Sequence, residues 1–315
     1  MKKVLLIDID SKIPNLALCK LSAWHKSQGD DVRLGWPGTV EDWCPDKVYA
    51  SSIFEKSRAR RDAIDIIFNG VIHPKAITGG SGYDIKKKLP KHIEAMTPDH
   101  DLYRADYALG LTSRGCPRKC GFCIVREKEG GIKQVATIGE IVRWDSDYLV
   151  LLDNNLLASP LAIESLKEII ARKLSVNINS GINIRLVNEE NAALLAQVDF
   201  WTLSFKSKYL TFVFDHIALE SAVRRGVGLL NNAGIASHKL QCYVLIGYDS
   251  TPEQDLERVN ILRSLKVSPF AMPYVKTPYT KAFSRWVNYH VYKACDFKDY
   301  RSGAWQPGQE VLNLA

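Results

Sequence analysis

Three cysteines sit within eight residues in the run Arg114-Gly-Cys116-Pro-Arg-Lys-Cys120-Gly-Phe-Cys123. Thiolates suit iron–sulfur clusters or zinc. Spaced four and three residues apart, they can surround one compact metal centre if the backbone turns sharply, and Gly115, Pro117 and Gly121 supply the turns. Three ligands leave one position open, and an open position marks a reactive centre rather than a structural one. Zinc would want a fourth Cys or His nearby. Cys242 and Cys295 are distant and unpaired, so zinc is the weaker alternative.

The elements that must position this loop read as two runs of alternating strands and helices. In the first, Val4–Asp10, Val32–Gly35, Lys47–Ile53 and a strand from Ala76 into the Gly79–Gly82 turn are strand candidates. Between the first two, Pro14 opens a helix through Leu18, Leu21, Trp24 and His25 that Gly29 stops. This is a small Rossmann-like α/β layer over residues 1–100. A polar connector from Lys86 to Asp101 follows.

The second run places strands at Tyr107–Thr112, Tyr148–Asp153, Ser175–Asn179, Leu210–Asp215, Leu240–Gly247 and Pro269–Val275. Helices are expected at Ile138–Trp144, Ala162–Lys173, Glu189–Gln197, Leu219–Ala233 and Pro252–Leu265. Six strands with intervening helices imply a parallel sheet, curling into a partial (β/α)6 barrel over residues 101–277 with its chemistry at the carboxyl ends of the strands. The tail 278–315 reads as a helical cap, with Tyr279, Phe283, Trp286, His290 and Lys293 at helical spacing; the aromatics dock on the barrel, with base stacking as the alternative.

The C-x3-C-x2-C pattern, with Phe122 before its last cysteine and a strand before its first, resembles the signature of the radical S-adenosylmethionine (SAM) superfamily. The resemblance covers about residues 103 to 275. It implies a [4Fe–4S] cluster on Cys116, Cys120 and Cys123, with SAM chelating the fourth iron. One-electron reduction then gives methionine and a 5′-deoxyadenosyl radical that abstracts hydrogen from substrate, with a flavodoxin or ferredoxin as electron donor.

By the same resemblance, Phe122 packs near the adenine, and Asp153, Asn154 and Asn155 hold the SAM amino group; an Asx turn or helix cap before Pro160 is the plain alternative. Asn179 and Ser180 end the third strand. Arg185 reaches the SAM carboxylate or forms a surface ion pair. Asp215, closing an apolar run, accepts from ribose hydroxyls or the SAM amine. Gly247 permits close approach of backbone to adenine, and Tyr274 faces substrate. Residues 1–100 resemble the cobalamin-binding-type domain found before such barrels, but no D-x-H-x-x-G occurs, so cobalamin is not expected. The glycine turn could instead cradle a phosphate.

Composition narrows the rest. Seven cysteines in 315 residues, an odd number with three clustered, do not read as a disulfide framework and fit a reducing compartment. The apolar run Val4–Ile7 is too short for a signal peptide, and no run suits a membrane span, so a soluble cytoplasmic enzyme is expected. Net charge +7, with clusters at Arg58, Arg60, Arg61 and at Lys86, Lys87, Lys88, mildly favours a nucleotide or RNA substrate over a peptide or natural product. Two other classes stay open: a zinc-holding nucleic-acid-binding protein, and a catalytically idle iron–sulfur relative.

Overall fold

The computed structural model describes residues 1–35, 43–54 and 76–301. Arg58, Arg60, Arg61, His73 and the tail beyond Arg301 lie outside the described residues.

The first sheet holds β1 (Lys3–Asp8), β2 (Asp31–Leu34), β3 (Lys47–Ser51) and β4 (Ile77–Gly79), all parallel, in the order β2-β1-β3-β4. That order belongs to doubly wound α/β sheets. Successive side chains of β1 feed opposite faces: Val4 and Leu6 pack with Leu18 and Leu21, while Leu5 and Ile7 pack with Trp43 and Val48. Leu18 and Leu21 come from α1 (Leu16–Ser27). Its cap is Asn15, whose side chain accepts from the amides of Ala17 and Leu18, so Pro14 precedes the helix rather than opening it. Gly29, at φ +79°, ends it.

After the short α2 (Lys91–Glu94), the chain forms β5 (Ala108–Gly110) and a two-stranded antiparallel hairpin, β6 (Ser113–Arg114) with β7 (Lys133–Gln134). The hairpin encloses the cysteine loop and the single turn of α3 (Val125–Lys128). Sequence periodicity did not show it, because two-residue strands carry no pattern.

Next come β8 (Tyr148–Leu151), β9 (Ser175–Ile178) and the short β10 (Asp199–Phe200), parallel in the order β10-β9-β8-β5. A third parallel sheet holds β11 (Leu210–Val213), β12 (Leu240–Ile246) and β13 (Ser268–Pro273). An isolated parallel bridge from Ile182, in the segment after β9, to Phe212 of β11 links the second and third sheets.

Helices α4 (Ala162–Ala171), α5 (Glu189–Leu195), α6 (Glu220–Asn232) and α7 (Pro252–Ser264) follow the strands. One face of both sheets, including Leu149, Leu151, Val176, Ile178, Phe212, Cys242 and Val244, shares one apolar core with them. The helix expected at Ile138–Trp144 is absent. Thr137 and Glu140 bond reciprocally as a helix start would, yet only one turn follows, held by Ile138 and Ile141 buried in the core.

The last helix, α8 (Pro278–Asn288), buries Tyr279, Phe283 and Trp286 against Phe297. His290 and Lys293 fall beyond its end and are exposed, so the helical spacing read through them stops at Asn288. Asn288 also finishes the sheet. The amide of Ala271 donates to Asn288 Oδ1 at 2.8 Å, and Asn288 Nδ2 donates to the Ala271 carbonyl at 3.1 Å. Tyr274 N bonds inward to Ile246 O, so odd-numbered residues of β13 turn to the outer edge. There Pro269 and Pro273 have no N–H and Ala271 is taken, which closes the edge to another strand.

Candidate functional site

The cysteine loop leaves β6 at the carboxyl end of β5, between that strand and β8, as parallel α/β sheets place their chemistry. Gly115 makes the first turn at φ +86°, where an added Cβ would lie 2.2 Å from the Gly131 carbonyl oxygen. Cys116 N donates to Gly130 O at 3.2 Å, and Cys123 N to Cys120 O at 3.0 Å. Arg114 anchors the base of the hairpin through Glu94 at 2.7 Å and Glu129 at 3.2 Å.

All three thiols are free and half-buried. Among the described residues no group of three His, Cys, Asp or Glu side chains is closed into a metal-holding set, the loop thiols included. They are nevertheless neighbours. Burial pushes the Cys120 thiol up, with Asp215, Cys123 and Cys116 adding to the effect and Arg185 opposing it. Cys242 is fully buried inside the core, where burial holds its thiol well above the usual range, and it offers the loop no fourth ligand.

The residues after β8 serve the loop itself. The Asp153 carboxylate is fully buried and accepts four hydrogen bonds: from Thr112 N (2.9 Å), Thr112 Oγ1 (2.6 Å), Ser113 N (2.7 Å) and Ser113 Oγ (2.6 Å). Asn154 Oδ1 accepts from Gly115 N at 2.9 Å. Asn155 Nδ2 donates to Cys116 Sγ at 3.4 Å, while its Oδ1 is buried without a partner among the described residues. Asp153 and Asn154, expected to face a cofactor, thus turn to backbone and hydroxyl donors at the start of the loop.

Arg185, in the helical turn Ile184–Leu186 well past β9, and Asp215, just beyond β11, both lie near enough to Cys120 for their charges to act on its thiol. Arg185 Nε donates to Asn183 Oδ1 at 3.0 Å, and among the described residues its guanidinium forms no ion pair. Burial and the neighbouring Arg118 lower its proton affinity. Burial raises the Asp215 carboxyl above the usual range, with Arg185 and Arg258 opposing. The main chain at Asp215 is fixed by Arg258, which the sequence did not single out. Its fully buried guanidinium donates to the carbonyls of Phe214 and Asp215, both at 2.9 Å, and pairs with Asp255. Asp255 also accepts from Tyr279 and Ser250. An i, i+3 acid–base pair on a helix reads as surface, and only the fold shows it buried.

Phe122 stands edge-on to Tyr248 (5.6 Å between ring centroids), and Tyr248 edge-on to Tyr274 (4.8 Å), forming an aromatic row from the loop to β13. Tyr274 is half exposed. Ser180 is exposed just beyond the end of β9. Gly247 is explained by packing: at φ +69°, an added Cβ would lie 2.7 Å from Thr280 Cγ2 of α8. The glycine turn is likewise filled by its own chain, since a Cβ at Gly80 or Gly82 would meet Ser52 within 2.5 Å. At the neighbouring strand ends Asp10 accepts from Ser52 and from the amides of Ile53 and Phe54, and Tyr103 donates to Asp8.

No protein-family model and no curated protein matches this sequence. Among solved structures, the fold is similar to that of the cobalamin-dependent S-adenosylmethionine radical enzyme OxsB, solved with aqua-cobalamin and S-adenosylmethionine bound. The match has a TM-score of 0.53 at 13% identity and covers 93% of this chain. It spans 56% of the neighbour, so this chain corresponds to little more than half of that protein. At this identity the likeness is one of fold.

Proposed function

We propose that this chain is a radical SAM enzyme whose Cys116, Cys120 and Cys123 hold a [4Fe–4S] cluster. The observation that carries the reading is the set of three half-buried thiols on one loop at the carboxyl ends of a parallel α/β array. The donor set fits the group: three soft ligands, an amide N–H already on one sulfur, and the orphaned Asn155 Oδ1 beside it, suited to an ammonium donor. In this reading residues 1–100 form the Rossmann-like domain, the second and third sheets, apart from the two-residue β10, a partial (β/α)6 barrel over 101–277, and the tail from 278, as far as it is described, the helical cap.

When bound, cluster and SAM supply one-electron cleavage of the sulfonium and, through it, hydrogen-atom abstraction from a substrate. The chain's own residues bind and orient. In this reading Arg185, which among the described residues forms no ion pair, takes the SAM carboxylate. In the same reading Asp215, held at its main chain by Arg258, accepts from ribose hydroxyls. Phe122, Tyr248 and Tyr274 give the loop an aromatic row on one side, against which a ring of the bound group can pack. A flavodoxin or ferredoxin is the proposed electron source, and the +7 charge favours a nucleotide or RNA substrate. Cobalamin stays outside the proposed set: no D-x-H-x-x-G is present, and His25 is occupied by Asp30 and Tyr49.

Metal and acid-labile sulfide analysis after anaerobic reconstitution tests this directly. Near four iron and four sulfide per chain is expected on this reading. Zinc without sulfide would replace it with the zinc-site alternative.

A further inference from the structure

The tripeptide Asp153-Asn154-Asn155 meets the entry to the cysteine loop residue by residue. Asp153 takes Thr112 and Ser113, Asn154 takes Gly115, and Asn155 takes Cys116. Asn155 sits at the cap position of the short helical turn Leu156–Ala158, yet its side chain makes no cap hydrogen bond. A buried asparagine at a cap position ordinarily spends its oxygen on the helix amides. Here the amide nitrogen goes to sulfur instead, at 3.4 Å, from a side chain whose residue is only 4% exposed. Cys116 is thereby held at both ends, its backbone N–H on Gly130 O and its Sγ on Asn155.

We infer that Asp153–Asn155 is a positioning strip for the cluster loop and that Asn155, through its N–H to Cys116 Sγ, raises the reduction potential of the cluster. This rests on the reading that the loop holds a [4Fe–4S] cluster. The physical reason is the sign of the charge change. Reduction adds one electron, taken from an external donor, to a cluster held by thiolates. A donor hydrogen bond to a thiolate stabilises the more negative state, and hydrogen bonds to the sulfurs are among the levers that set such potentials. If the hydrogen bond favours the reduced over the oxidised cluster so that the reduced-to-oxidised ratio changes up to roughly tenfold, the shift is up to about 59 mV for a one-electron couple.

The test is an anaerobic redox titration followed by electron paramagnetic resonance on reconstituted wild type and Asn155→Leu, which keeps the size and removes the donor. Iron and sulfide are counted in both. With equal cluster content, the reduced fraction of Asn155→Leu at the wild-type midpoint falls so that its ratio to oxidised is up to roughly tenfold lower. An unchanged midpoint with a full cluster overturns the inference. No cluster in wild type overturns the underlying reading instead. If Asn155→Leu fails to hold a cluster, pulsed resonance on reduced wild type labelled with 15N at asparagine side chains decides. A nitrogen coupling to the cluster supports the contact, and its absence refutes it.

Discussion

Replacing Asp153 by alanine removes the acceptor for four donors at once, two of them backbone amides of Thr112 and Ser113. Both residues are fully buried, so water does not readily replace the carboxylate. Each orphaned buried amide costs about 1–3 kcal/mol, while the two hydroxyls can turn to other acceptors. The sum is about 2–6 kcal/mol, which at about 2–4 °C per kcal/mol lowers Tm by roughly 10 °C. Asp153→Asn is milder. Its oxygen can keep the three bonds made by Oδ1, but its NH2 then opposes the Thr112 amide, a loss of about 2 kcal/mol. The assay is thermal denaturation by circular dichroism, with iron uptake measured on the same samples. Alanine should melt below asparagine, both below wild type, and alanine should also take up less iron because the loop entry is no longer fixed. Should Asp153→Ala melt within a degree of wild type and take up iron normally, the account of this carboxylate as the loop's anchor is wrong.

Three further outcomes are expected. Asn288→Ala frees the edge of β13 at Ala271, costing about 1 kcal/mol by chemical denaturation; it should also promote association visible by size-exclusion chromatography, and a monomer of unchanged stability would contradict the edge-closing role. Arg258→Met strands the buried Asp255 carboxylate and should cost about 3–5 kcal/mol, partly recovered by adding Asp255→Asn; a double variant no better than the single would show that the pair is not coupled. His25 is held below its ordinary 6.5 chiefly by burial, with Asp30 opposing. The unfolded chain therefore binds more protons below pH 6.5, and the folded state loses stability as pH falls through that value. In denaturant titrations at pH 5 to 8, His25→Gln should show a flatter slope than wild type, and an identical slope would rule His25 out as its source.

Much of the fold was legible in the sequence because strand and helix differ in apolar period, and buried parallel strands such as Leu240–Ile246 are nearly continuous apolar runs. The single turn at Ile138–Ile141 was not, since two buried isoleucines three apart match a helix as well as a turn. In the site, the three thiols declared themselves by spacing. Asp215 was found by the rule that strand ends carry chemistry and Arg185 by the resemblance, and the charges of both act on Cys120. Asp153 and Asn154 obeyed the same rule with a different outcome, because sequence places a polar side chain at a strand end without saying which way it turns. Arg258 and Asn288 gave no signal at all. A buried guanidinium and an amide that imitates a strand look, in one dimension, like ordinary polar positions on a helix.

The central claim is tested most directly by incubating the reconstituted protein anaerobically with SAM and dithionite and measuring 5′-deoxyadenosine by mass spectrometry, with Cys120→Ala in parallel. The account predicts product from wild type and none from Cys120→Ala. A wild type that carries the full four-iron cluster yet forms no 5′-deoxyadenosine would contradict it and leave the catalytically idle iron–sulfur protein as the reading of this loop.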